Sequence, residues 1–288
     1  MTIATLIAAG RLDERLLAGA LARIEGARLA RWVERRDAAD VEFDATPSEI
    51  RSAYEGWEGV DIVMHTGGPR RKSLLIADMD STMIGQECVD ELADYAGVKA
   101  EVSAITERAM KGELDFAGAL GERVALLKGL DEAIISQCLA ERVRPNPGAG
   151  TLVRTMRAWG AKTLLVSGGF TAFARPVAEI LGVEHVEANV LGIEAGRLTG
   201  RVTGRIVDAG FKRSSLIAAR EEGGIGPVDV MAIGDGANDA LMIEEAGLGI
   251  AYRAKPILAD IADARLDHHP LDALLWAQGI PRSEWIEV

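Results

Sequence analysis

Three short apolar runs, far apart along the chain, each end in a polar residue. Leu74–Ala77 leads into Asp78, Thr163–Val166 into Ser167, and Val228–Ile233 into Gly234-Asp235. A fourth run, Gly247–Tyr252, follows, and helical patterns over Gly148–Trp159, Phe170–Leu181, Phe211–Glu222 and Ala237–Ala246 separate several of the four. Continuous apolar runs of strand length alternating with helices predict an α/β fold, with a parallel sheet covered on both faces. Ligands of such sheets bind beyond the carboxyl ends of the strands, so the three polar termini are expected to converge.

Two stretches depart from this alternation. Residues 85–145 carry only helical signals, near Glu87–Tyr95, Glu101–Met110, Phe116–Leu127 and Asp131–Arg142, before Pro145-Asn146-Pro147. Inserted directly after the first strand, they read as a helical cap over the strand ends. Val186–Asp208, with Gly192, Gly196, Gly200 and Gly204 among β-branched residues, reads as a hairpin excursion. Residues 1–71 read as a separate small α/β module. It has an apolar run at Ile3–Ala8, a helix over Leu12–Ile24, a strand near Leu29–Val33, a helix from Thr46-Pro47-Ser48 through Tyr54 and a strand over Val60–His65. Thr66-Gly67-Gly68-Pro69 then marks a linker. The expected division is thus 1–71, a core of 72–84 with 146–288, and a cap of 85–145. Nothing in the first module carries chemistry; a dimerising, regulatory or merely packing role stays open, and with it a homodimer.

The polar strand ends have a chemistry in common. Asp78-Met79-Asp80 places two carboxylates on one face if the strand continues, a hard oxygen site for a divalent ion and a division of labour between nucleophile and proton donor. Taken alone, the pair is equally a strand–turn junction with a capping Asp and Ser. Ser167-Gly168-Gly169 ahead of a helix makes an anion cradle, or an ordinary tight turn. Gly234-Asp235-Gly236-Ala237-Asn238-Asp239 adds two carboxylates and an amide, too many for a capped turn. The 44 acidic residues against 32 basic ones give a net charge of −12, which argues against nucleic acid and anionic lipid as partners. An acidic chain with an anionic ligand must supply its cations locally. Lys212 is the candidate, although by itself it reads as a solvated surface lysine. Cys88 and Cys138 are too far apart for a CxxC pair and read as core residues. With no basic segment before the N-terminal apolar stretch and no membrane-length run, the expected location is cytoplasmic.

Together Asp78-Met79-Asp80-Ser81-Thr82, Ser167, Lys212 and Gly234–Asp239 resemble the four ordered motifs of the haloacid dehalogenase-like superfamily, over roughly residues 72–268. Within it the chain is similar to the phosphoserine phosphatase family, through Asp80–Glu87, Met110–Phe116, Arg123–Leu127, Val166–Phe170 and Ala254-Lys255-Pro256. The resemblance implies a magnesium-dependent phosphomonoesterase acting on O-phosphoserine, at the last step of serine biosynthesis. It implies Asp78 as nucleophile and Asp80 as general acid and then base. It implies Mg²⁺ on Asp78, the Asp80 backbone carbonyl, Asp235 and Asp239. Ser167, Gly168, Lys212 and Asn238 would hold the phosphoryl group, while Glu87, Phe116 and Arg123 in the cap would select the serine moiety. A dehalogenase would not need Asp80, because halide leaves unprotonated. A phosphatase for another small ester, or a phosphotransferase, would use the same residues.

Overall fold

The computed structural model describes residues 2–65, 67–110 and 113–287. Thr66 of the linker signal, and Lys111 and Gly112 of the Met110–Phe116 match, lie outside the described residues.

The N-terminal part runs β1 (Thr2–Leu12), α1 (Glu14–Leu21), β2 (Arg28–Glu34), β3 (Arg36–Phe43), α2 (Pro47–Tyr54) and β4 (Asp61–His65). Its strands form an antiparallel sheet ordered β2-β3-β1-β4, a split βαβ arrangement. Local chemistry sets the helix starts. Asp13 accepts the Leu16 N–H at 2.8 Å, and Thr46 forms a reciprocal capping box with Glu49 ahead of Pro47. The Asp13 cap also explains why β1 extends through Leu12 and the first helix starts later than its pattern suggests. Strand β3 is absent from the sequence reading because Arg36, Asp37, Asp40 and Glu42 make it look polar. In the fold Ala38, Ala39, Val41 and Phe43 are buried, and Asp40 is buried beside Arg70 and Arg31.

One face of this sheet packs Leu6, Val41 and Phe43 against Ile50 and Tyr54 of α2. From the other, Ile7, Ala38 and Val63 join the main core, which includes Trp276. Arg70 ties the two parts together. It pairs with Asp40, donates to Thr5 Oγ1 at 2.8 Å and reaches the Ala277 carbonyl at 2.8 Å. His269 Nδ1 meets the buried Asp61 carboxylate at 2.7 Å.

The larger sheet contains β5 (Leu74–Ala77), β6 (Lys162–Phe170), β7 (His185–Glu194), β8 (Arg197–Thr203), β9 (Val230–Gly234), β10 (Leu248–Tyr252) and β11 (Ala264–Leu266). Its order is β11-β10-β9-β5-β6-β7-β8, parallel except for β8. Four helices, α3 (Cys88–Ala96), α4 (Lys99–Met110), α5 (Phe116–Leu126) and α6 (Ala133–Glu141), lie between β5 and β6 in the chain. The remaining helices are α7 (Ala149–Ala158), α8 (Thr171–Leu181), α9 (Ala209–Gly223), α10 (Ala240–Glu245), α11 (Pro256–Ala259) and α12 (Ala273–Ala277). The hairpin is more than an excursion: β7 first pairs in parallel with β6, from Leu164↔His185 to Ser167↔Ala188, and only then turns back as β8. Its far end touches the inserted helices, with Gly129 N–H donating to the Leu198 carbonyl at 2.8 Å. Gly200, at φ +76°, allows this approach, since a Cβ there would stand 2.8 Å from that of Lys128.

Candidate active site

The central strand β5 delivers Asp78 to the carboxyl edge of the sheet, where its N–H bonds the Ile233 carbonyl of β9 at 3.0 Å. The chain stays extended through Asp80 (ψ 137°) and then reverses at Ser81, a non-glycine residue at φ +54°. Such a left-handed residue needs support from its surroundings. Ser81 N–H donates to the Gln86 carbonyl at 3.2 Å, and its hydroxyl to Glu87 Oε1 at 2.7 Å.

Asp78 is 4% exposed and meets Lys212 Nζ at 2.8 Å. Lys212 is itself fully buried and contacts Asp239 at 2.7 Å. It is therefore no surface lysine: α9 starts at its Asp208 cap, and the position one turn in points into the site. Asp239 turns inward, accepting the N–H groups of Asp235 at 3.1 Å and Gly236 at 3.2 Å, which fixes the loop after β9. Asn238 donates to Asp78 Oδ2 at 3.3 Å. Ser167, at the carboxyl edge of β6, accepts the Gly169 N–H at 2.9 Å.

Burial, reinforced by the charge of Asp239 and opposed by Lys212, pushes Asp78 well above the usual carboxylate range. Asp80 is pushed up to about 7, first by burial and then by the Glu87 charge. Burial and Asp239 raise Asp235 to about 6. Burial works against the Lys212 charge, but Asp239 and Asp78 outweigh it and hold the ammonium above its ordinary value.

The carboxylates of Asp78, Asp235 and Asp239 offer oxygens within 4.8 Å of one another. Three buried acids around one buried lysine leave surplus negative charge, which a hard divalent cation on oxygen ligands would offset. The donor set fits a metal. Asp80 contributes no side-chain oxygen to that cluster.

Glu87, Phe116 and Arg123, from the inserted helices, line the same cavity of ≈ 490 Å³ as Asp78, Asp80, Ser167, Gly168, Asp235 and Asn238. Lys212 and Asp239 are fully buried beside it, and Lys212 touches Asp78, which lines it. A larger hollow of ≈ 840 Å³ beside the β7–β8 hairpin gathers none of these groups. Gly168 and Gly169 are both closely approached by side chains from elsewhere in the chain. A Cβ on Gly168 would stand 2.9 Å from Phe116 Cζ, and one on Gly169 2.8 Å from Asp80 Oδ2.

Other residues join the site without having been singled out for it. Lys255 Nζ lies 3.7 Å from Asp235 Oδ2 at the cavity rim, and its N–H bonds the Asp235 carbonyl at 2.9 Å. Thr82 donates to Asp235 Oδ1 at 3.3 Å. The buried Asn189 donates to the Gly168 carbonyl at 2.7 Å and accepts the Val207 N–H at 2.9 Å, linking the cradle to the approach to α9. Thr82 sits inside a motif already in view, but Asn189 lies in an alternating strand and gives no signal of its own.

A family model for haloacid dehalogenase-like hydrolases matches residues 72–247. Over 248 residues the chain is 45% identical to a phosphoserine phosphatase of Archaeoglobus fulgidus, covering 85% of this chain and 70% of that protein. A crystal structure of a haloacid dehalogenase family hydrolase from Salmonella enterica serovar Typhi superimposes with a TM-score of 0.85 at 28% identity, over 96% of this chain and 98% of that one. A phospho-aspartyl intermediate analogue of phosphoserine phosphatase matches with a TM-score of 0.67 at 38% identity, over 72% of this chain and 98% of that one. With the carboxylate cluster at the strand ends and a matching family model over most of its length, the chain belongs to the haloacid dehalogenase-like hydrolases.

Proposed function

We propose that the protein is a phosphoserine phosphatase working through an aspartyl-phosphate at Asp78. The observation that carries the reading is the shared cavity. Its floor holds Asp78 and Asp80, and its roof holds Glu87, Phe116 and Arg123. The names of the Archaeoglobus relative and of the phospho-aspartyl analogue structure support the same reading.

In this account a carboxylate oxygen of Asp78 attacks phosphorus as the bond to the serine oxygen breaks. Asp80, held near neutrality by burial and Glu87, gives its proton to that leaving oxygen. Serine departs, water attacks the acyl phosphate, and Asp80 takes up the water's proton. Phosphate leaves and Asp78 is restored. The Ser167 hydroxyl, the Gly168 backbone and the Lys212 ammonium receive phosphoryl oxygens, the electrostatic work on which phosphoryl transfer depends. Asn238 keeps the nucleophile oriented through its contact with Asp78 Oδ2. Asp78, Asp235, Asp239 and the Asp80 backbone carbonyl would hold Mg²⁺, which when bound neutralises charge between nucleophile and phosphate. Residues 85–145 act as the cap that selects the ester: Arg123 suits the substrate carboxylate as a planar fork, Glu87 its ammonium, and Phe116 forms an apolar wall.

Phosphate release from O-phosphoserine, in Mg²⁺ and in EDTA, tests the reading beside a panel of sugar and polyol phosphates. Selective, metal-dependent release from phosphoserine is expected. Equal release across the panel would overturn the substrate, and no release from any ester would overturn the reaction.

A further inference from the structure

The roof of the cavity carries one acid more than these roles use. Asp90 lies in the first turn of α3, three residues after Glu87, and lines the same cavity. Glu87 is the extended residue just before α3, and both acids reach the cavity from the start of that helix. Its acidic neighbours are engaged: Glu87 accepts the Ser81 hydroxyl at 2.7 Å, and Glu91 meets Arg142 at 2.8 Å. Among the described residues no hydrogen bond or ion pair reaches the Asp90 carboxylate.

We infer that Asp90 is a specificity-determining residue that receives, together with Glu87, the ammonium group of an amino-acid phosphoester; this rests on the substrate class proposed above. An ammonium presents three N–H donors and no acceptor. Enclosing it with donors unmet forfeits their hydration. One oxygen of Glu87 is committed to Ser81, so Glu87 alone provides few acceptors. A second carboxylate lining the same cavity supplies the rest. Favouring the helix start accounts for an acid in this turn, but Glu91 serves that purpose while facing Arg142 instead of the cavity. The same free charge opposes esters carrying a further anionic group there, so Asp90 discriminates by repulsion as well as attraction.

The experiment compares wild type, Asp90→Asn, Asp90→Ser and Asp90→Glu on two esters. One is O-phosphoserine, the other 3-phosphonooxypropanoate, the same skeleton without the ammonium. Losing one charge-assisted contact should lower kcat/KM for phosphoserine about tenfold, mainly through KM, in both neutral variants. The deaminated ester should fall less than about twofold, and Asp90→Glu should recover part of the loss. Melting temperatures separate misfolding from recognition, and the Ser variant stands in if the Asn variant does not fold. Parallel losses on both esters, or no loss on phosphoserine, would overturn the role of Asp90. A wild-type enzyme that treats the two esters alike would instead overturn the phosphoserine reading itself.

Discussion

Replacing Lys212 with methionine removes the ammonium buried between Asp78 and Asp239 while keeping a side chain of similar length. The two contacts measure 2.8 and 2.7 Å, and at an effective dielectric of about 20 each attracts by roughly 6 kcal/mol. Desolvation of the three charged groups cancels much of that gross attraction. Removing one partner is not the reverse of assembling the cluster, however, because it strands two carboxylates in a dry site. The expected cost is about 3–5 kcal/mol, a large part of the ~5–15 kcal/mol that usually holds a domain. At a few degrees per kcal/mol for a chain of this size, Tm should fall by roughly 6–20 °C. Melting is followed in EDTA, so that a bound cation does not take the place of the lost one. Adding Asp78→Asn to Lys212→Met removes one stranded charge and should return part of the lost stability. Acidification should likewise stabilise the single variant relative to wild type, as its carboxylates take up protons. Activity should drop by about 10²–10⁴ through loss of phosphoryl stabilisation. The reasoning is refuted if Lys212→Met melts within about a degree of wild type, or if the double variant is no more stable than the single one.

Asp78→Asn should lower turnover by about 10⁴ or more, because an amide oxygen does not form the phospho-enzyme; acid-quench trapping should find no covalent phosphate, and trapped label would contradict the assignment. Arg123→Ala should raise KM for phosphoserine by about tenfold or more and spare a small generic ester such as p-nitrophenyl phosphate; matching losses would remove its role in recognition. Gly169→Ala should depress kcat, since the new Cβ would stand 2.8 Å from Asp80 Oδ2 and 3.0 Å from Ser167 Oγ; an alanine variant with wild-type kcat would show that this contact is slack. His65 supplies a pH test away from the site. Burial, aided by Arg70, lowers it from 6.5 to about 4, so the unfolded chain binds the proton first as pH falls. Its contribution to stability is complete above pH 6.5 and lost toward pH 4, about 2 kcal/mol of it between pH 7 and 5. Denaturant titrations of wild type and His65→Asn at those two pH values should diverge by that amount, and an equal change in unfolding free energy between the two pH values would rule the histidine out.

Much of this site is written locally. Runs such as Leu74–Ala77 and Val228–Ile233 read as buried strands because they are almost wholly apolar, and an acid stands one or two positions beyond each, at the sheet edge. Helix starts at Thr46 and Asp115 follow from side chains that cap their own backbone, whereas the caps at Asp13 and Asp208 set starts two residues away from where the apolar pattern put them. These are interactions across a few residues, so chain order is enough to find them. What the fold alone decided involves partners far apart in the chain. Lys212 has the sequence context of a surface residue, and only packing of α9 against the sheet buries it between acids from two other strands. Asp40 looks like a strand breaker until Arg70 and Arg31 neutralise it. Asn189 becomes the tie between two loops only when β7 lies beside β6. Local pattern determined which segments are strands and helices and which residues stand at their ends. Which charges could be taken out of water was settled by tertiary structure, because a buried ion is tolerated only where an opposite charge or hydrogen-bond partner from elsewhere reaches it.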